Sequence, residues 1–307
     1  MSKVTGATLE FWYGGVEYPV ESVSFDAAGD EIETTDSATP TPSTDFIMNR
    51  FKRTSKVDMQ LAAADGTTLT GNNLVAGTRY KVKLGNLTES TVAHTYPVGK
   101  CFTSDGTGVA SASNQVAALG AKLPGKNMVA NIASANVGVT SIKHNEAYGE
   151  FDSTDSDTTG DGTEWVTGRV KRTATVEMIM KDTVADYLTS NPVAQAVVFT
   201  LGAGLTLTGS AIFSKKSINS LAKGDMVKVT YDLLWVGAVA STLANELTMG
   251  VSTATKAIWK GWGASTQKGV TGNTIVMSKS VEIDTNGIAK VSYSLGWVGT
   301  PTEVVLS

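Results

Sequence analysis

The feature that most restricts this 307-residue chain is an internal repeat. Displaced by 119 positions, residues 31–61 fall on residues 150–180 without a gap, and 12 of the 31 pairs are identical. The identities include Glu31/Glu150, Asp36/Asp155, Thr54/Thr173, Val57/Val176 and Met59/Met178, and the basic trio Arg50/Arg169, Lys52/Lys171 and Arg53/Arg172. Upstream the match weakens, although Val20/Val139 and Ser22/Ser141 still agree. Such a run marks a duplicated structural unit, and the fold must accommodate two copies of it.

A second echo lies downstream. KVTYDLLWVG at 228–237 and KVSYSLGWVG at 290–299 share seven of ten positions, with Tyr231/Tyr293 and Trp235/Trp297 as aromatic anchors. The second unit carries this strand after its module, whereas the first has no such strand before residue 130. The spare copy at the C-terminus is therefore expected to fold back. This predicts a first β domain over 1–130, completed by a strand from 270–307, a second over 131–245, and a C-terminal segment over 246–307 packed on the first.

Composition agrees with β structure. Forty-one threonines, many valines and 31 glycines describe short strands joined by glycine turns. On the outgoing strand of each module one parity is apolar (Val57, Met59, Leu61; Val170, Ala174, Val176, Met178, Met180) and the other polar, which marks a sheet with one packed and one wet face. Helices are expected only at 181–189, stopped by Ser190-Asn191-Pro192, and more weakly at 113–119. The fold class is mainly β: two tandem β-sandwich or half-barrel domains with long hairpins, each with a short helix.

Several chemistries are disfavoured. A lone Cys101 permits neither an intramolecular disulfide nor a multi-cysteine metal site and reads as a small buried hydrophobe. His94 and His144 stand far apart without a nucleophile motif, and no G-x-S-x-G elbow occurs, so no catalytic residues and no cofactor are expected. The run Asp155, Asp157, Thr159, Gly160, Asp161 resembles the start of a calcium loop, but Val166 stands where the closing glutamate belongs and Glu164 comes two places early. It reads as a solvated or subunit-contacting loop, with no metal. LGAGLTLTG at 201–209 lacks a phosphate-loop ending and reads as strand, turn, strand. Trp259 and Trp262 read as core or interface residues. The longest apolar-leaning run, 194–207, is too short and too interrupted to cross a bilayer, and the start lacks an apolar export segment, so the chain is expected to begin where it is made, in a cytoplasm.

Each module places an acidic loop (36–45; 155–164) between two strands, longer than a tight hairpin requires and therefore expected to contact something. The basic residues Arg50, Lys52, Arg53 and Arg169, Lys171, Arg172 follow within a few positions. In a stacked assembly, Asp36, Asp45, Asp155, Asp157, Asp161 and Glu164 of one ring are expected to meet these bases of the next, with charge setting register.

A twofold repeat of a long hairpin with an acidic Thr/Pro/Gly tip, followed by a short helix and a closing strand pair, resembles the tail tube (major tail) proteins of long-tailed bacteriophages. The resemblance is architectural and spans residues 10–300. It implies a virion structural protein rather than an enzyme. It further implies rings of six β domains, here supplied by three duplicated chains, stacked into a conduit for double-stranded DNA and capped by other tail proteins. The wet faces, with Lys52, Thr54, Lys56, Asp58 and Lys171, Thr173, Thr175, Glu177, would then line the channel, a mixed lining in a chain of net charge -4. The competing reading is a β-rich adhesin or decoration module binding glycan or calcium through its acidic loops and Trp259/Trp262.

Overall fold

The computed structural model describes residues 6–33, 46–89, 94–152, 165–180, 186–188, 193–202, 204–219, 226–261 and 267–306. These form twenty strands. The first four are β1 (Gly6–Tyr13), β2 (Val16–Tyr18), β3 (Val20–Glu33) and β4 (Phe46–Gln60). Six short ones follow: β5 (Thr68–Leu69), β6 (Arg79–Leu84), β7 (Leu87–Glu89), β8 (His94–Tyr96), β9 (Cys101–Thr103) and β10 (Gln115–Ala118). Next come β11 (Val129–Ile132), β12 (Ala135–Val137), β13 (Val139–Asp152), β14 (Trp165–Ile179), β15 (Gln195–Gly202), β16 (Leu205–Asn219) and β17 (Lys228–Ser241). The chain closes with β18 (Thr253–Gly261), β19 (Gln267–Asp284) and β20 (Lys290–Leu306).

Fourteen strands make one antiparallel sheet around a single buried apolar cluster. β19 is its branch point. β20 runs along one edge of β19, while the other edge is shared, residues 268–274 pairing with β18 and residues 278–284 with β13.

The duplication is retained at the level of hydrogen-bond register. β3 and β4 pair from Val20↔Met59 to Glu33↔Phe46, and β13 and β14 from Val139↔Met178 to Asp152↔Trp165, every partner displaced by 119. Both hairpins carry irregularities at the same two places, Val20/Ser22 with Gly29/Glu31 and Val139/Ser141 with Tyr148/Glu150. β20 joins β4 through Gly296↔Thr54 and Lys290↔Gln60, just as β17 joins β14 through Leu234↔Thr173 and Lys228↔Ile179. The correspondence continues outward, because β16 and β19 share bulges displaced by 63 residues. Gly209 and Gly272 occupy one such bulge, each against a tryptophan: a Cβ there would lie 2.9 Å from the Trp235 ring and 3.2 Å from that of Trp297. Bulge positions of this kind are retained because they re-aim a strand, which requires glycine where an aromatic ring lies close.

The small hairpins β1–β2 and β11–β12 also match. Their turns, Gly14-Gly15 and Ala133-Ser134, all have positive φ, the geometry of a two-residue turn that fits the strand twist. In the first unit Phe11 lies opposite Ala257, and in the second Ala130 lies opposite Phe199, all four buried. One large and one small side chain fill the same volume with their order exchanged. Phe11→Ala is expected to cost about 3–5 kcal/mol and Ala257→Phe about 1–3 kcal/mol, whereas the double exchange recovers most of the loss in a urea titration. Additive losses in the double variant would show that the two sites do not share one volume.

Residues 62–122 depart from the repeat. Here β5, β10, β6 and β9 form a separate four-stranded sheet, beside the β7–β8 pair, over their own cluster with Leu74, Tyr80, Val82, Leu87, Phe102 and Val116. The chain leaves and returns at adjacent points, since the Leu123 amide donates to the Leu61 carbonyl at 3.0 Å. Buried Glu89 ties this part together, accepting from the Ser104 hydroxyl at 2.5 Å and the Asp105 amide at 3.0 Å.

Two helix expectations change. Within residues 113–119, Gln115–Ala118 form strand β10 instead, because Val116 and Ala117 are buried between β5 and β6 and burial on both sides overrides a weak local propensity. Residues 181–185 and 189 lie outside the described residues, and 186–188 are not helical: the Asp186 carboxylate accepts from the Leu188 amide at 3.1 Å. Among the described residues the helical structure is one 3-10 turn, Gly125–Asn127, and no helix is long and apolar enough to cross a membrane.

Candidate assembly surface

Eight strands run side by side in the order β3, β4, β20, β19, β13, β14, β17, β16. Directly opposed residues share a face, so one cross-strand row reads Ser22, Asp58, Ser292, Ser280, Asn145, Thr173. The row is laced by hydrogen bonds, Ser22 and Ser292 donating to Asp58 at 2.8 and 2.6 Å and Ser280 to Asn145 at 2.7 Å. Further along, Thr175 donates to Asp232 at 2.8 Å, and Glu177 receives Thr140 at 2.6 Å and Lys228 at 2.8 Å. Burial alone would raise the Asp58 carboxyl, but the two serines and Lys56, 3.3 Å away, hold it below the usual carboxylate range. The result is a face rich in short hydroxyl and amide side chains on which Asp58 pairs with Lys56 and Glu177 with Lys228, while Lys143 and Lys171 are exposed and the row ends on the exposed Leu234.

This face contains one of the residue sets singled out above. Thr54, Asp58, Thr173, Thr175 and Glu177 are half-buried on it, while Lys52, Lys56 and Lys171 are exposed. The basic trios split. Lys171 and Arg169 are exposed, but Arg172 belongs to the opposite parity and reaches Glu146 at 3.0 Å and the Gly237 carbonyl at 3.4 Å. Arg53 packs over the Phe51 ring at 5.1 Å. Of Arg50 only the strand position is described. Asp36, Asp45, Asp155, Asp157, Asp161 and Glu164, with the calcium-like loop, lie outside the described residues, as do Trp262 and the side chain of Trp259.

The most concentrated charge is one that sequence reasoning missed. Glu146 on β13 stands opposite Arg172 on β14 and Lys279 on β19, and its carboxylate lies 3.0 Å from each. His144 Nε2 approaches it at 2.9 Å, and Lys279 also reaches Glu246 at 2.9 Å. His144, Glu146 and Lys279 are buried. Desolvation opposes ionisation of Glu146, but the His144 hydrogen bond and the Lys279 charge outweigh it and hold the carboxyl at about 2. This cluster occupies the junction where β13 of the second unit meets β19 of the first. The signal in the sequence was the alternation on β13, which places His144 and Glu146 on the packed face.

The end strands of the eight are open along part of their length. Among the described residues β3 pairs with β4 alone, and β16 beyond Ala211 pairs with β17 alone. Open edges carry unpaired amides and carbonyls and favour addition of another strand.

Reactive groups elsewhere are subdued. Cys101 is buried and its thiol is pushed up to about 11, chiefly by desolvation, which makes it unreactive near neutrality. A cleft of about 570 Å³ lies beside Phe25, Ser55, Ala257, Val270 and Trp297 and is mostly apolar. Among the described residues no three His, Cys, Asp or Glu side chains converge as metal ligands.

No protein-family model matches the chain, and no curated protein matches it in sequence.

Proposed function

We propose that this chain is a structural subunit that assembles with copies of itself into stacked rings forming a hollow tube, as the resemblance to phage tail tube proteins implies, and that the tube conducts double-stranded DNA. The observation that carries the reading is the run of eight strands: two register-matched units in one chain, a hydroxyl-rich face, and an open edge at each end. A sheet of this kind satisfies its edges by continuing into a neighbour and closing into a barrel. The polar face then lines the lumen. Its many short side chains and the ion pairs Lys56–Asp58 and Lys228–Glu177 limit the hold on passing phosphates, since affinity for DNA grows with the number of phosphates that cations neutralise. Three chains supply six units per ring. The acidic segments 36–45 and 155–164, with the exposed Arg169, Lys52 and Lys171, form the contacts between rings.

Negative-stain microscopy of the purified chain across a concentration series tests this. The expected result is rings with a central hole, stacking into tubes at high concentration, with weak and sequence-independent DNA retention. A monomer at every concentration, or solid filaments without a lumen, would reject it.

A further inference from the structure

The junction inside the chain supplies a template for a junction between chains. β13 adds to β19 through Lys143↔Glu282, His144↔Val281, Asn145↔Ser280, Glu146↔Lys279 and Ala147↔Ser278. The repeat maps β13 onto β3 and β19 onto β16, strands that share the same bulges and inner partners. In β3 and β16 the corresponding outer positions meet no strand among the described residues. We propose that copies of this chain associate head to tail by antiparallel addition of β3 of one chain to β16 of the next, with Ser24 opposite Asn219, Phe25 opposite Ile218, Asp26 opposite Ser217, Ala27 opposite Lys216 and Ala28 opposite Lys215. This inference rests on the self-assembly reading above and names its interface.

Burial supports the assignment independently of register. At the internal junction His144 is 0% and Val281 1% exposed, whereas their counterparts Phe25 and Ile218 are 39% and 51% exposed. Two large apolar residues left open at mutually facing positions of two free edges are the mark of an unfilled contact. The supporting geometry is already in place: Phe25 meets the Trp297 ring edge-on at 5.8 Å, as His144 meets that of Trp235 at 5.9 Å. The hydroxyl bond from Ser280 to Asn145, 2.7 Å, maps onto Ser217 and Asp26, a donor facing a carboxylate. The charges differ. Glu146 maps onto Ala27, and Lys216 is held by Asp186 at 2.7 Å, so the inner junction centres on an ion cluster and the outer one on the Phe25/Ile218 pair. That difference keeps β3 from competing with β13 for β19, because β3 would leave Lys279 buried opposite an alanine. Two different patches make the contact heterologous, so it closes into a ring or runs on as a filament according to the rotation between chains.

Disulfide trapping tests the register, and the buried Cys101 does not compete. Under mild oxidation the double variant Asp26→Cys/Ser217→Cys is expected to give a reducible ladder of covalent oligomers. A mixture of the two single variants should stop at dimers, while each single variant alone and the out-of-register pair Ser24→Cys/Lys215→Cys should give none. With no cysteine introduced, Phe25→Lys should weaken association at least about tenfold in sedimentation velocity. Crosslinking by single variants as efficient as by the double, or assembly without crosslinks in the double variant, overturns the inference. Hollow tubes without the crosslink would reject this pairing and leave the tube reading standing; a ladder without rings or tubes would do the reverse; a monomer that forms no crosslink rejects both.

Discussion

A chain ending at Ser252 is expected not to fold, rather than to lose an appendage. β18, β19 and β20 supply the only partner of β1 besides β2, the second partner of β4 and the second partner of β13 among the described residues. They also contribute Val276, Val281, Ile283, Tyr293 and Leu295 to the common core, all buried. At roughly 1.5–3 kcal/mol for each large apolar side chain, the loss is about 10 kcal/mol, comparable with the whole stability of an ordinary domain. Far-UV circular dichroism should report little strand signal and urea no cooperative transition, and the same holds for residues 1–130 alone. Excising 62–122 and joining Leu61 to Leu123 serves as the contrast. That segment has its own cluster and adjacent ends, so the main sheet should still unfold cooperatively. A truncated chain with a sigmoidal transition of full-length steepness would contradict this account.

Replacing Glu146 by Gln is expected to cost about 3–5 kcal/mol at neutral pH, because Lys279 and Arg172 lose the charge they share in a buried place. The pH dependence identifies the cause. Glu146 falls from an ordinary 4.5 to about 2 in the folded protein, so the unfolded chain takes up a proton that the folded one refuses. The associated stability is complete above about pH 4.5 and is lost as pH falls towards 2, roughly 3 kcal/mol by linkage. Asp58 and Glu10 are also lowered and contribute in the same sense, so the informative quantity is the difference between parent and variant. That difference should be largest at pH 6–7 and shrink in acid. A constant difference from pH 7 to 2 would mean that the Glu146→Gln substitution acts through shape alone.

Much of the duplicated hairpin was legible because its residues do two jobs that sequence records directly. Val57, Met59, Val176 and Met178 alternate with polar neighbours because only one face packs, and period-two alternation survives in a one-dimensional string. The outer reaches of the repeat were not legible. Gly14-Gly15 and Ala133-Ser134 share a turn geometry but no residue, and Phe11/Ala257 with Ala130/Phe199 share a summed volume but no position. Backbone conformation and pair volume are kept between the two units in a form that residue identity does not show. The helix expected at 113–119 failed for the related reason that burial between two strands outweighed local preference. Phe25 and Ile218 drew no notice in the sequence because exposure is a property of the sheet edge they occupy.

By itself, then, the sequence determined the period of 119, the two long hairpins, their wet and packed faces, and the need for a spare WVG strand. Only the tertiary structure decided that β19 divides its edge between β18 and β13, and that a buried Glu146 cluster closes the internal junction while, among the described residues, its counterpart edges stay open. The reason is physical. Alternation and turns are set by neighbours a few residues apart, whereas the choice of strand partner between Thr54 and Gly296 is made by burying side chains that the chain itself brings together only on folding.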